Sequence, residues 1–198
     1  RAYKPYSLSE EQEQILSAKS VTGQNAWVRY FDETLGSAKF LYKGEEKTEQ
    51  EVLSLLHHPD RNIRQEAHAS LSDGFQKLSR TLTYIFNTLL ADKASNDELR
   101  GYPSWISSRN LANETDEATV QALVDSVTGY YSWAQRYYTL KSKLLNISDF
   151  KDYDRYAPIK KSETTVSWEE AKNMVLEAYD EFHSEMGAIA QRFFDEQW

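Results

Sequence analysis

The sequence predicts an all-α protein: an elongated multi-helix array with one long helix and a short extended stretch. Three observations carry that expectation. Only seven glycines and four prolines punctuate 198 residues, too few for the many tight turns of a β-rich chain. Apolar residues recur at steps of three and four over long stretches, the spacing of a single helix face. Several of these stretches are preceded by a serine or threonine with a glutamine or glutamate three residues on, the reciprocal cap of a helix start.

The first helix begins after Ser9, whose hydroxyl can accept from the free amides of the first turn while Gln12 answers from three residues on. Trp27, Val28, Tyr30, Phe31 and Leu35 mark a second helix near 24–35. An extended stretch near 38–43 then meets a turn at Lys43-Gly44. Thr48 and Glu51 open a third helix, which Pro59 ends because proline has no amide hydrogen to donate. From Asn62 the pattern lengthens. Ile63, Ala67, Leu71, Phe75, Leu78, Leu82, Ile85 and Leu89 fall on one stripe and predict a helix over about 62–92, roughly 45 Å long at 1.5 Å per residue. Gly74 costs this helix about 1 kcal/mol relative to alanine, so a bend is expected there. Residues 93–117 read as a turn-rich link with a short helix in the middle. From Glu117 one helix is expected through Leu145, with Val124, Val127, Tyr131, Ala134 and Tyr138 on one stripe and Tyr130, Trp133 and Tyr137 on the next. A helix apolar over two stripes should be buried between neighbours. A connector follows over 150–166, and Ser167 with Glu170 then caps a last helix expected to run unbroken toward Trp198.

Composition narrows the partners. The net charge of −8 repels nucleic acid and anionic membrane surfaces, so neither is expected as a partner. There is no cysteine, which excludes disulfides and thiolate metal sites and fits a reducing, cytoplasmic setting. No apolar run is long enough to span a bilayer, and the opening RAYKPYSLSEEQ lacks a signal-peptide core. Arg1 in place of methionine points to a processed or excised piece.

The stretch HHPDRNIRQEAH, His57 to His68, holds three of the four histidines and raises the question of a metal. Helical zinc sites place two imidazoles on one face, four residues apart. Glu66 and His68 are two apart, about 160° around a helix at 3.6 residues per turn. His57 and His58 are separated from His68 by the Pro59 break. Di-iron bundles need Glu-x-x-His on two helices, whereas the matches here are Gln65-x-x-His68 and Asp180-x-x-His183. No glycine-rich phosphate loop and no GxSxG elbow occurs. No catalytic, cofactor-binding or metal-ligating residue is therefore assigned.

Several segments in order resemble one family. RAYKPYSLSEEQEQIL, WVRYFDETL and KFLY resemble the end of the N-terminal domain of oligoendopeptidase F. HPDRNIRQEAHASL with LSRTLTYIFNTLLADK resembles the join into that family's zinc peptidase domain. RGYPSWISSRNLANE, YYTLKSKLL and DYDRYAPI resemble its first helical half. The resemblance implies that 1–58 closes an N-terminal domain and that 59–198 begins an M3-type peptidase domain. It implies a zinc metalloendopeptidase of short oligopeptides as the parent, with zinc held by an HExxH pair and a later glutamate. No HExxH occurs in this sequence, so the chain itself is expected to be inactive and to hold no cofactor. It would form shell and part of the substrate channel, with Tyr102, Trp105, Arg109, Tyr153, Asp154 and Tyr156 as lining candidates. Packing of connectors onto helices accounts for the same six residues. Apolar surface left uncovered would favour self-association. The alternative is a stand-alone helical scaffold or peptide-binding protein with an aromatic groove.

Overall fold

A computed structural model describes residues 2–160 and 165–197. The expected connector therefore lies partly outside the described residues, at 161–164, as does Trp198. Contacts divide the chain into two compact units, 1–159 and 160–198.

In the first unit, α1 (Glu10–Ser20) begins as its sequence predicts: Gln12 donates its amide to the Ser9 hydroxyl and its side chain accepts from the Ser9 amide. After α2 (Gln24–Ser37) the chain turns into a two-stranded hairpin, β1 (Phe40–Tyr42) against β2 (Glu45–Lys47), in the register Phe40–Lys47 and Tyr42–Glu45. Lys43 and Gly44 both have positive φ, 52° and 85°, the two-residue turn whose twist suits a hairpin. Alternation along β1 buries Phe40 and Tyr42 and exposes Leu41. Phe40 and Tyr42 form the core with Val52 of α3 (Glu49–Leu55) and with Ala67 and Leu71 of α4 (Arg61–Arg100), each large side chain contributing about 1.5–3 kcal/mol by burial.

The long helix α4 spans Arg61–Arg100, 40 residues and so about 60 Å. It starts one residue earlier than expected and continues eight residues further. The sequence LADKASNDELR looks turn-rich, but its polar residues sit on a solvated helix face and bond along it, Lys93 to Asp97 and Arg100 to Asn96. The true stop is Gly101, at φ 71°. There the amide of Gly101 donates to the Glu98 carbonyl and that of Tyr102 to the Asp97 carbonyl, satisfying carbonyls that the helix leaves open. Gly74 has a packing reason: a methyl group at that position would overlap the Phe40 ring, which lies across it.

Two expectations fail beyond α5 (Ser107–Ala112). The helix expected from Glu117 to Leu145 is two, α6 (Glu117–Gly129) and α7 (Tyr131–Leu144). Ser126 and Thr128 donate back to the carbonyls of Ala122 and Val124, a bond that bends helices, and Gly129 and Tyr130 complete the break. Nor is this pair buried between neighbours. Val124, Val127, Tyr131, Trp133 and Tyr137 all lie exposed; the double stripe shows that the face favours cover, and nothing among the described residues supplies it.

In the second unit, Ser167 and Glu170 cap α8 (Trp168–Phe182) reciprocally, as expected. The helix then breaks at His183, in extended conformation, and α9 (Ser184–Asp195) follows. The His183 imidazole itself caps α9, accepting the Glu185 amide at 3.2 Å. The hairpin is amphipathic, and Val175, Tyr179, Met186, Ile189 and Phe193 line an open apolar groove of about 410 Å³.

Candidate functional site

The most heavily bonded corner of the molecule lies at the start of α4, where the DYDRYAP segment meets it. Asp60 caps the helix through the Asn62 amide at 2.8 Å, which leaves Arg61 and Arg64 in the first turn. Both reach Asp154, some 90 residues on. Arg61 holds both carboxylate oxygens, Nε at 3.1 Å from each and Nη2 at 2.8 Å from Oδ2. Arg64 Nη2 donates to Oδ1 at 2.8 Å, and the Lys151 amide to Oδ2 at 3.0 Å. Asp154 is fully buried and Arg64 is 2 % exposed. The remaining Arg64 donors satisfy the carbonyls of Tyr153, His58 and Pro59. Lys141, also buried, donates to the Arg155 carbonyl at 2.7 Å.

The electrostatics follow from this geometry. Burial pushes the Asp154 carboxyl up, but the Arg61 hydrogen bonds, the Lys151 amide and Arg64 outweigh it, so the group is held below its ordinary range. The same pairing raises Arg61. Burial and then the Arg64 charge push Lys141 down. Arg61 Nε and Nη2, the three Arg64 nitrogens and the Lys141 ammonium all bond to carbonyls or to Asp154, which makes the cluster a clamp rather than a vacant anion hole.

The histidines divide among separate tasks. The His57 ring stacks on Tyr156 at 4.8 Å. His58 Nδ1 accepts the Asp60 amide at 3.0 Å. His68 Nε2 stands 3.8 Å from Asp152 and its ring 5.6 Å from Tyr153, and His183 caps α9. Among the described residues no three histidine, aspartate or glutamate side chains group as a metal would require. Spread over separate settings, the histidines do not supply a ligand set that fits a zinc ion.

The six lining candidates separate into two places. Tyr153, Asp154 and Tyr156 gather at the start of α4 with Arg61, Arg64, His57 and His68. Tyr102, Trp105 and Arg109 lie by the last turns of α4, roughly 50 Å away along the helix. There Tyr102 stacks on Tyr6 at 4.2 Å. Arg100 holds Glu13 at 2.7 and 2.8 Å; that pairing and the Leu8 amide lower the Glu13 carboxyl to about 2. Lys93 donates to Asp97, to the Trp105 carbonyl and to Ser108, which fixes the loop while the Trp105 side chain projects at 77 % exposure. Sequence reasoning passed over Arg61, Arg64 and Lys141, since an arginine in a helix's first turn reads as a solvated charge; their partners are 93, 90 and 14 residues away.

Known proteins resemble this chain in sequence and in fold. A family model described as oligopeptidase F matches residues 1–40. Group B oligopeptidase PepB of Streptococcus agalactiae is 27 % identical over 208 aligned residues, covering all of this chain and 34 % of its own length. The chromosomal oligoendopeptidase F of Lactococcus lactis subsp. cremoris is 26 % identical over 73 % of this chain and 24 % of its own. The crystal structure of oligoendopeptidase-F from Enterococcus faecium superposes with a TM-score of 0.73 at 20 % identity, over 98 % of this chain and 43 % of that one, a likeness of fold. The chain spans about a third or less of the curated relatives it matches. Along its length the chain is similar to oligoendopeptidase F and related oligopeptidases, and its sequence contains no HExxH.

Proposed function

We propose that this chain is a non-catalytic portion of a zinc metalloendopeptidase that cleaves short oligopeptides, and that it builds shell and part of the substrate channel. The observation that carries the reading is similarity to oligopeptidases along all of the chain, joined to a residue set in which no metal site assembles among the described residues. On this reading residues 1–58 close an N-terminal domain and 59–198 begin the peptidase domain, with the Asp154 clamp riveting the second to its own first helix. The metal would be held by residues that this chain does not supply. No described helix is long and apolar enough to cross a membrane; on the proposed reading the parent works in the cytoplasm, a reducing setting with which a chain lacking cysteine is compatible.

The apolar faces of α6–α7 and of the α8–α9 hairpin support the same reading, because a working enzyme would cover them. They equally support the second reading, a self-standing helical protein that grips a peptide or partner helix. The reading frame beyond the codon for Trp198 separates the two. An HExxH encoded downstream is expected; a stop codon there would leave the scaffold reading in possession.

A further inference from the structure

We propose that the exposed stack of His57, Tyr156 and Arg155 binds a carboxylate, that of the free C-terminal end of a peptide. The inference rests on the peptide-handling reading above and adds the place where a peptide end is held.

Two groups pack on the Tyr156 ring, which is 46 % exposed: the His57 imidazole at 4.8 Å, 29° from parallel, and the Arg155 guanidinium with Cζ 4.8 Å from the ring centroid. A guanidinium over a ring can still present an N–H edge to the paired oxygens of a carboxylate. That edge is unspent: among the described residues Arg155 makes no side-chain hydrogen bond, and its ion-pair partner, Asp152, stands 3.8 Å off. Asp152 is equally 3.8 Å from His68. A carboxylate of the chain's own thus hovers at the rim without closing a hydrogen bond.

The floor under the stack is rigid. Lys141 pins the Arg155 carbonyl at 2.7 Å, and the preceding residue, Asp154, is locked by two arginines and a backbone amide. Groups held this way lose little freedom on binding, which is what preorganisation contributes to affinity. Charge agrees. Among the described residues, the cations Arg61, Arg64, Lys141, Lys151 and Arg155 outnumber the carboxylates Asp60, Asp149, Asp152 and Asp154 here by one, in a chain of net charge −8. Such an island draws an anion to a molecule that otherwise repels one. The open face of the His57 ring offers the terminal side chain an apolar seat.

The test uses the whole 198-residue chain, labelled so that NMR resolves its imidazoles. It is titrated with acetyl-Gly-Gly-Phe bearing a free carboxylate, with the same peptide as its C-terminal amide, and with inorganic phosphate. The free acid is expected to move the His57 signals saturably and leave those of His183 unmoved, with the amide at least tenfold weaker. Arg155→Gln is expected to weaken the acid tenfold or more, Arg155→Lys to fall between because it keeps charge without the planar fork, and Arg136→Gln, at an exposed arginine on α7, to match the unsubstituted chain. Equal affinity for acid and amide, or across the Arg155 variants, overturns the proposal. Phosphate binding as tightly as the peptide overturns the peptide assignment. Shifts confined to other residues sink this site yet leave the peptide-handling reading standing, since that reading is decided by the downstream sequence.

Discussion

Removing the Asp154 carboxylate should be a costly side-chain truncation, comparable to emptying a core position. In Asp154→Ala the buried Arg64, 2 % exposed, keeps three carbonyl partners but loses its counter-charge. Arg61, whose side chain is 36 % exposed, is partly rescued by water. Stripping one partner from a buried ion pair costs about 3–5 kcal/mol. The corner lies beneath a thin layer of chain rather than at the centre of the core, so the low end applies, about 3 kcal/mol. With a urea slope near the top of the range of about 1–3 kcal/mol/M for small proteins, the unfolding midpoint should fall by roughly 1 M. Hydrogen exchange should also speed up over 149–157, the segment that the clamp holds.

Two comparisons keep that expectation specific. Lys77→Ala, which removes an exposed ion pair with Asp73, should stay within about 0.5 kcal/mol. Asp154→Leu combined with Arg64→Met should recover much of the loss, because an apolar pair leaves no orphaned charge. The pH dependence has a fixed sign. Asp154 is held below its ordinary value in the folded chain, so its contribution is complete above the unfolded carboxylate pKa and disappears as pH falls through the lowered folded one. The acid limb of the stability curve should therefore flatten in the alanine variant. A midpoint shift no larger than that of Lys77→Ala would refute the clamp as a source of stability.

Four further outcomes are expected. Gly74→Ala should destabilise by about 1–3 kcal/mol in urea melts through overlap with Phe40, the reverse of the gain of about 1 kcal/mol that alanine brings to an open helix position. Glu13 is lowered to about 2 by Arg100 and the Leu8 amide; its contribution is present above the ordinary glutamate range and is lost between about 4.3 and about 2, so Glu13→Gln should remove acid-dependent fraying of α1 in that window, read by hydrogen exchange. The chain with added zinc should not cleave a quenched fluorescent peptide, and chelator-sensitive turnover would overturn the assignment of chemistry elsewhere. Light scattering after size exclusion should show dimers or larger species through faces such as Trp133, Tyr137 and Phe182, and a monomer across a hundredfold concentration range would refute that.

The sequence was most legible where a structure is decided within four residues. The caps at Ser9, Thr48 and Ser167 each need one hydroxyl and one side chain three positions on, and each forms as written. The breaks at Tyr130 and His183 were hidden because the apolar stripe runs straight across them; periodicity records which face favours burial, not whether the backbone stays continuous. His183 was doubly hidden, since an imidazole capping a helix stands outside the usual set of Ser, Thr, Asp and Asn. The 93–100 turn of α4 was obscured for the opposite reason, as polar composition imitated a loop while the residues bonded along a helix.

What no local pattern could reveal is the clamp, because its arginines and its aspartate lie some 90 residues apart and neither segment shows a charge anomaly by itself. Yet both halves lie in stretches, HPDRNIR and DYDRYAP, that the resemblance picked out for their spacing alone. Three buried charges are costly to keep unless the position they hold is itself required. Among them Lys141 holds the Arg155 carbonyl, beside which the Arg155 guanidinium and the Tyr156 ring stand exposed. A clamp that served stability alone could be replaced by leucine and methionine. If the Asp154→Leu, Arg64→Met protein regains its stability while losing the carboxylate peptide, the charges are there to place the stack.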